Sequence, residues 1–129
     1  MPSREIQSRL KTDIVIWFAT VSPDGQPLVV PVWFLWEKDS FLIYSAPGLK
    51  ARNVQSNPKV QLHLNTDEVG DVVIRVSGTA KILRTEPPAD KNPAYVRKYR
   101  EQIKGFGWTP KVFAEKYPHP IRVRSLRFH

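Results

Sequence analysis

Ile14-Val15-Ile16-Trp17-Phe18-Ala19-Thr20-Val21, Ser22-Pro23-Asp24-Gly25, and then Gln26-Pro27-Leu28-Val29-Val30-Pro31-Val32-Trp33-Phe34-Leu35-Trp36-Glu37 read as a strand, a tight turn and a long second strand. The first run is β-branched and aromatic, and Pro-Asp-Gly supplies the turn chemistry of a hairpin. A second turn at Lys38-Asp39-Ser40 leads into Phe41-Leu42-Ile43-Tyr44-Ser45, so the sequence predicts three antiparallel strands in a meander. Val60 to Leu64 alternates as a half-buried strand, and Val72 to Leu83 reads as a long one with a bulge or bend at Ser77-Gly78. Ile121 to Phe128 is the closing strand. These strands predict a mainly β fold with some α, a six- to seven-stranded antiparallel split barrel with short peripheral helices, because a barrel hides its own edges.

Helix signals fall between the strands. Ser3 caps a short peripheral helix in which Ile6 and Leu10 share a face, and residues 49–56 form one or two turns ended by Asn57-Pro58. Asn92-Pro93 starts a helix with Tyr95, Tyr99 and Ile103 spaced four apart, stopped by Gly105 and Gly107. Thr109-Pro110 repeats that signal for a shorter helix with Phe113 and Tyr117 on one side, so two helices stand as an insertion before the last strand. Trp33 and Trp36 lie an odd number of residues apart, so at most one fills the barrel interior. The other needs a cover, from a helix of this chain, a second copy or a bound planar ring.

The chain has 129 residues, enough for one domain over 1–129 with a real core. It has no cysteine, which excludes disulfides and thiolate chemistry and fits a cytoplasmic location. Met-Pro-Ser-Arg-Glu does not read as a signal peptide, and the longest uncharged apolar run, Leu28 to Trp36, falls well short of a membrane span. The net charge is +8, and its distribution is uneven: residues 1–90 hold ten Lys/Arg against ten Asp/Glu, residues 91–129 ten against two. A basic C-terminal third suits an anionic partner and does not choose among phosphate backbone, acidic lipid and a small polyanion.

Ser45-Ala46-Pro47-Gly48-Leu49-Lys50-Ala51-Arg52-Asn53 sets two cations and an amide at the start of a helix, where unpaired N–H groups already favour an anion. A phosphorylated ligand and an ordinary solvated turn are both open on these residues alone. Other chemistries lack support. There is no dinucleotide fingerprint or Walker lysine, and His63, His119 and His129 are scattered without metal-ligand spacing, so no metal is expected. His63 reads as a satisfied structural residue, and no serine sits in a nucleophile motif.

The ordered combination "ATVSPDGQP" (19–27), "VPVWF" (30–34), "PGLKARN" (47–53) and "NPKV" (57–60) resembles the pyridoxamine 5′-phosphate oxidase-like split barrels. Within them it is most similar to the small type that uses the deazaflavin coenzyme F420. The likeness is close over 14–84 and looser over the basic C-terminal third. It implies a homodimer with a cofactor in each interfacial groove, passing a hydride to an electron-poor unsaturated organic substrate, with FMN as the alternative cofactor. Lys50, Arg52 and Asn53 would hold the cofactor phosphate with support from Ser45. Val30, Pro31, Val32 and Trp33 would lie along the tricyclic ring, with Val60 and Gln61 nearby. Lys98, Arg100, Arg122 and Arg124 would meet the coenzyme's anionic glutamate tail. No catalytic side chain is singled out, as expected where the cofactor carries the chemistry. A non-enzymatic binder of nucleic acid or another polyanion is the reading from a different class; nucleic acid is not the expected partner, and neither is a membrane.

Overall fold

The computed structural model describes residues 2–129. Seven strands, β1 (Val15–Val21), β2 (Pro27–Trp33), β3 (Leu35–Glu37), β4 (Ser40–Ser45), β5 (Lys59–His63), β6 (Arg75–Ile82) and β7 (His119–Phe128), form one antiparallel sheet in the order β2-β1-β5-β6-β7-β4-β3. Helices α1 (Arg4–Thr12), α2 (Leu49–Ser56), α3 (Pro93–Gly105) and α4 (Pro110–Lys116) surround it. The expected split barrel is therefore present with seven strands.

The hairpin at Ser22–Gly25 forms as read: Ser22 and Gln26 close it, Gly25 takes φ 88°, and Val21 pairs with Pro27. Pro27 and Pro31 cannot donate to a ladder, and β2 accordingly lies at the edge of the sheet. The long second strand is corrected. It breaks at Phe34, so β2 pairs with β1 while β3 pairs with β4, and no three-stranded meander forms. The cause lies 65 residues away: Phe34 N–H donates to the Tyr99 hydroxyl at 2.8 Å, and Phe34 C=O accepts from Lys98 Nζ at 2.8 Å. With its backbone satisfied by side chains, Phe34 leaves the ladder and the chain turns a corner. The two edges of the sheet, β2 and β3, are thus joined through that corner, which is how the barrel is split.

Ile16 and Phe18 of β1, Ile43 of β4 and Leu62 of β5 fill the barrel interior and are fully buried. Leu10 is equally buried, so α1 plugs the barrel with that residue, whereas the sequence suggests only a peripheral helix. A second core lies outside the sheet. Leu42 and Tyr44 face away from the barrel and pack with Tyr95, Tyr99 and Ile103 of α3 and Phe113 of α4. β4 is buried on both faces for this reason. Both helix starts behave as read, with Asn92 Oδ1 accepting from Tyr95 N–H and Thr109 Oγ1 from Val112 N–H.

The start of β6 is also corrected, from Val72 to Arg75. Asp67 Oδ1 accepts from Asp71 N–H and Val72 N–H, which holds that stretch in a loop and leaves Val72 and Val73 half exposed. The expected irregularity does occur, as a register shift between Ser77 and Thr79. A Cβ on Gly78 would stand 2.8 Å from Val123 Cγ1 and 3.0 Å from Arg124 C=O. Gly78→Ala is therefore expected to cost about 1–3 kcal/mol through overpacking, read as a lower urea midpoint at unchanged m value.

Candidate functional site

Gly48 starts α2 with φ 151° and ψ −160°, a backbone conformation suited to glycine, and no side chain caps the helix. The first turn of α2 contains no acidic residue, so its positive end is not neutralised locally. From that turn Lys50 reaches a cavity of about 270 Å³ between β2 and the α3–α4 pair. Pro31, Val32 and Trp33 form one wall, and Tyr44, Tyr95, Phe106, Trp108, Phe113 and Tyr117 complete the lining.

Trp33 is the anchor of the cavity. It stacks on Tyr99 with ring centroids 4.7 Å apart and planes at 4°, and it meets Phe113 edge-on at 5.3 Å. Its cover is thus supplied by helices of the same chain, while Trp36 packs against the barrel core and donates to Gln7 Oε1 at 3.1 Å. Tyr44 is held by donating to Pro87 C=O at 2.7 Å, and burial raises its phenol above the ordinary value. Burial pushes Tyr95 much further in the same direction, so both phenols stay neutral at physiological pH.

Lys50 is the only lining residue with a formal charge. It is half-buried, and desolvation lowers its ammonium from the usual lysine range. Among the described residues no carboxylate lies within ion-pair distance of it. The lining contains no carboxylate, histidine, serine or threonine. Such a cavity can bind a flat conjugated group and an anion, and its titratable side chains are Lys50 and the phenols of Tyr44, Tyr95 and Tyr117.

The structure gathers Pro31, Val32, Trp33 and Lys50 in this cavity and leaves the other sequence-nominated residues outside its lining. Arg52 points to solvent from the other side of α2. Asn53 is buried and donates Nδ2–H to Thr20 Oγ1 at 3.1 Å, tying α2 to β1. Ser45 is fully buried, with its hydroxyl on Ala46 C=O at 2.7 Å. Val30 and Val60 pack in the barrel, and Gln61 is exposed on the far face of β5. The cavity's aromatic residues from α3, α4 and their connection are absent from the sequence-based set. Their signal was present, since Tyr95, Phe113 and Tyr117 mark the apolar stripes of those helices, but it identifies core and not a cavity wall.

Two of the C-terminal cations are also committed elsewhere. Lys98 Nζ sits 3.8 Å from the Phe34 ring centre while donating to the Phe34 carbonyl, and Arg122 is buried between Glu37 and Glu86. Neither is free for an acidic tail; Arg100 and Arg124 are exposed. His63 lies outside the cavity lining, its ring stacked on Trp17 at 6.1 Å.

Lys98 gives a pH signature to the corner that positions Trp33. Desolvation lowers its ammonium to about 8, partly opposed by the charge of Asp13. In the unfolded chain the same group stays protonated to near 10.5. Between these values the unfolded state binds the extra proton, so stability rises as pH climbs from about 8 towards 10. Above that, the raised phenols of Tyr44, Tyr95 and Tyr99 act in the opposite sense, because the unfolded chain loses those protons first. Urea midpoints measured over this range should rise in the wild type and be flatter in Lys98→Met.

No helix among the described residues is long and apolar enough to cross a membrane. No curated protein matches the sequence significantly. Solved structures of the same fold include a protein named F420 reductase, 22% identical with a TM-score of 0.72, covering 100% of this chain and 98% of that one. The conserved hypothetical protein Rv2991 from Mycobacterium tuberculosis is 23% identical with a TM-score of 0.69, covering 99% and 84%. HutZ, the heme storage protein from Vibrio cholerae, is 18% identical with a TM-score of 0.61, covering 95% and 91%. The family model for pyridoxamine 5′-phosphate oxidase matches residues 2–128, which is nearly the whole sequence, and the chain belongs to that family.

Proposed function

We propose that this protein is an oxidoreductase that binds the deazaflavin coenzyme F420 and reduces a small, electron-poor unsaturated organic molecule. The observation that carries this reading is Lys50: a half-buried cation without a carboxylate partner among the described residues, lining a cavity otherwise walled by aromatic and aliphatic groups. A planar ring with a phosphate on a flexible stem has both features that the cavity and this cation complement. When bound, the coenzyme supplies the hydride. The chain's own residues do the rest: Lys50 and the uncapped start of α2 hold the phosphate, Pro31 to Trp33 orient the ring, and the aromatic side chains of α3 and α4 exclude water. The structural likeness to a protein named F420 reductase supports the choice of coenzyme.

The protein acts as a homodimer in the same proposal, paired through the outer face of β1 and β2. β1 is apolar on both sides, with Ile16 and Phe18 inward and Trp17, Ala19 and Val21 outward, and Val29 beside them is 51% exposed. Strands apolar on both faces belong between two packed layers.

Fluorescence titration with each coenzyme tests the reading. F420 should bind at micromolar concentration or below, and reduced F420 should be consumed with quinones or enones as acceptors. Tight FMN binding with no F420 binding would replace it by the FMN-dependent alternative. Affinity for nucleic acid that collapses with added salt, with neither coenzyme bound, would favour the polyanion binder.

A further inference from the structure

The hairpin of β5 and β6 carries opposite chemistry at its two ends. At the closed end, residues 65–73 form a knob held by their own hydrogen bonds: Leu64 N–H donates to Ile74 C=O at its base, Gly70 N–H to Asp67 C=O, and Asp67 Oδ1 accepts from Asp71 N–H and Val72 N–H. Val72 and Val73 are half exposed on it and Val69 is 84% exposed, which makes the knob the largest concentration of exposed bulky apolar side chains among the described residues. Asp67, Glu68 and Asp71 are exposed beside them, and among the described residues none of the three has a cation within ion-pair distance.

At the other end, α2 and β6 leave a groove of about 540 Å³. Val54, Pro58, Ala80 and Ile82 supply its apolar lining, Lys81 and Arg84 its exposed cations, and the lining holds no carboxylate. Lys59 lies at the same end, paired across the ladder with Thr79. Lys59, Lys81 and Arg84 form no ion pair among the described residues. The knob and the groove are thus complementary in charge and in apolar surface. They cannot meet within one chain, because β6 runs from Arg75 to Ile82 between them, more than about 20 Å. In a second copy turned end for end they can, and a two-fold axis makes both contacts at once, since each copy presents the same two patches.

We propose that the 65–73 knob of one copy docks in the α2–β6 groove of a second copy, with valines on the apolar lining and carboxylates against Lys59, Lys81 and Arg84. The inference rests on the proposed pairing of two copies through β1 and β2, extends it to the ends of the neighbouring hairpin, and is independent of which coenzyme binds. The contact lies at the ends of the sheet, because exposed Arg75, Arg124 and Arg127 on β6 and β7 would repel their counterparts in a copy stacked directly over them. A knob already ordered by its own hydrogen bonds loses little freedom on docking. Once docked, it braces the C-terminal end of the helix that presents Lys50.

Sedimentation velocity on the full chain tests this. Glu68→Lys with Asp71→Lys, and separately Lys81→Glu with Arg84→Glu, should each weaken the dimer by about tenfold or more, by setting like charges against one another. All four changes together should bring the dimer back to within about threefold of the wild type, the recovery that marks a direct contact. The chain has no cysteine, so disulfide trapping gives an independent measure. Val69→Cys mixed with Gln55→Cys should form a mixed disulfide dimer on mild oxidation, and neither variant alone should link to itself. A dimer unchanged by the charge reversals, no recovery when they are combined, or Val69→Cys linking to itself as readily as to Gln55→Cys would overturn the docking and leave the pairing through β1 and β2 standing. A chain that is monomeric at every concentration would overturn both. Neither result bears on coenzyme binding, which fluorescence titration reads separately.

Discussion

Arg122→Ala is expected to lower the stability of the fold by about 3–5 kcal/mol, the penalty for breaking a buried ion pair and leaving its partners uncompensated. Arg122 is only 5% exposed, on the outer face of β7. Its Nε donates to Glu86 Oε2 at 2.8 Å, Nη1 to Ser40 Oγ at 3.0 Å and Nη2 to Glu37 Oε1 at 3.3 Å. The guanidinium therefore ties β7 to the hairpin of β3 and β4 and to the segment after β6. Without it Glu86, whose side chain is 14% exposed, loses its ion-pair partner. Arg122→Met should cost less, because the apolar stem is replaced by similar volume, and urea unfolding of both variants separates the two contributions. Coenzyme affinity should be unchanged in the folded fraction of Arg122→Met. A selective loss of F420 affinity would return Arg122 to the role of tail ligand that the family resemblance implies.

Lys50→Ala should weaken coenzyme binding by about 1.5–3 kcal/mol, or roughly 10- to 150-fold, the range for a charge-assisted hydrogen bond to phosphate. Stability should respond differently. Lys50 has no carboxylate within ion-pair distance among the described residues and sits partly desolvated, so its removal should leave the melting temperature of the empty protein unchanged or slightly higher. The contrast with Arg122 is one of satisfaction: one cation has its anions supplied by the fold, while the other is held without any. Equal affinity of Lys50→Ala and wild type would remove Lys50 from the binding site.

These two cations also mark what the sequence can and cannot disclose. Local signals are legible: the Asn92-Pro93 and Thr109-Pro110 helix starts, the Ser22–Gly25 hairpin, the span 49–56 of α2 and the irregularity at Ser77-Gly78 all depend on neighbours in the chain, and all are found where the residues place them. The corner at Phe34 is not legible, because the groups that satisfy its backbone come from Lys98 and Tyr99 on a distant helix. Nor does the sequence disclose that Arg122 is surrounded by Glu37 and Glu86 while Lys50 has no such neighbour among the described residues, because those surroundings arise only on folding. Lys50, Pro31, Val32 and Trp33 could be nominated from the sequence motifs. The wall formed by Phe106 and Trp108 could not, since a Gly-Phe-Gly-Trp stretch after a helix is indistinguishable from an ordinary stop signal.

Binding of F420 to the crystalline protein is the most direct test of the account. The coenzyme phosphate should lie within hydrogen-bond distance of Lys50 Nζ at the start of α2, with its ring against Pro31 to Trp33. A phosphate bound elsewhere, with Lys50 facing only solvent, would contradict it.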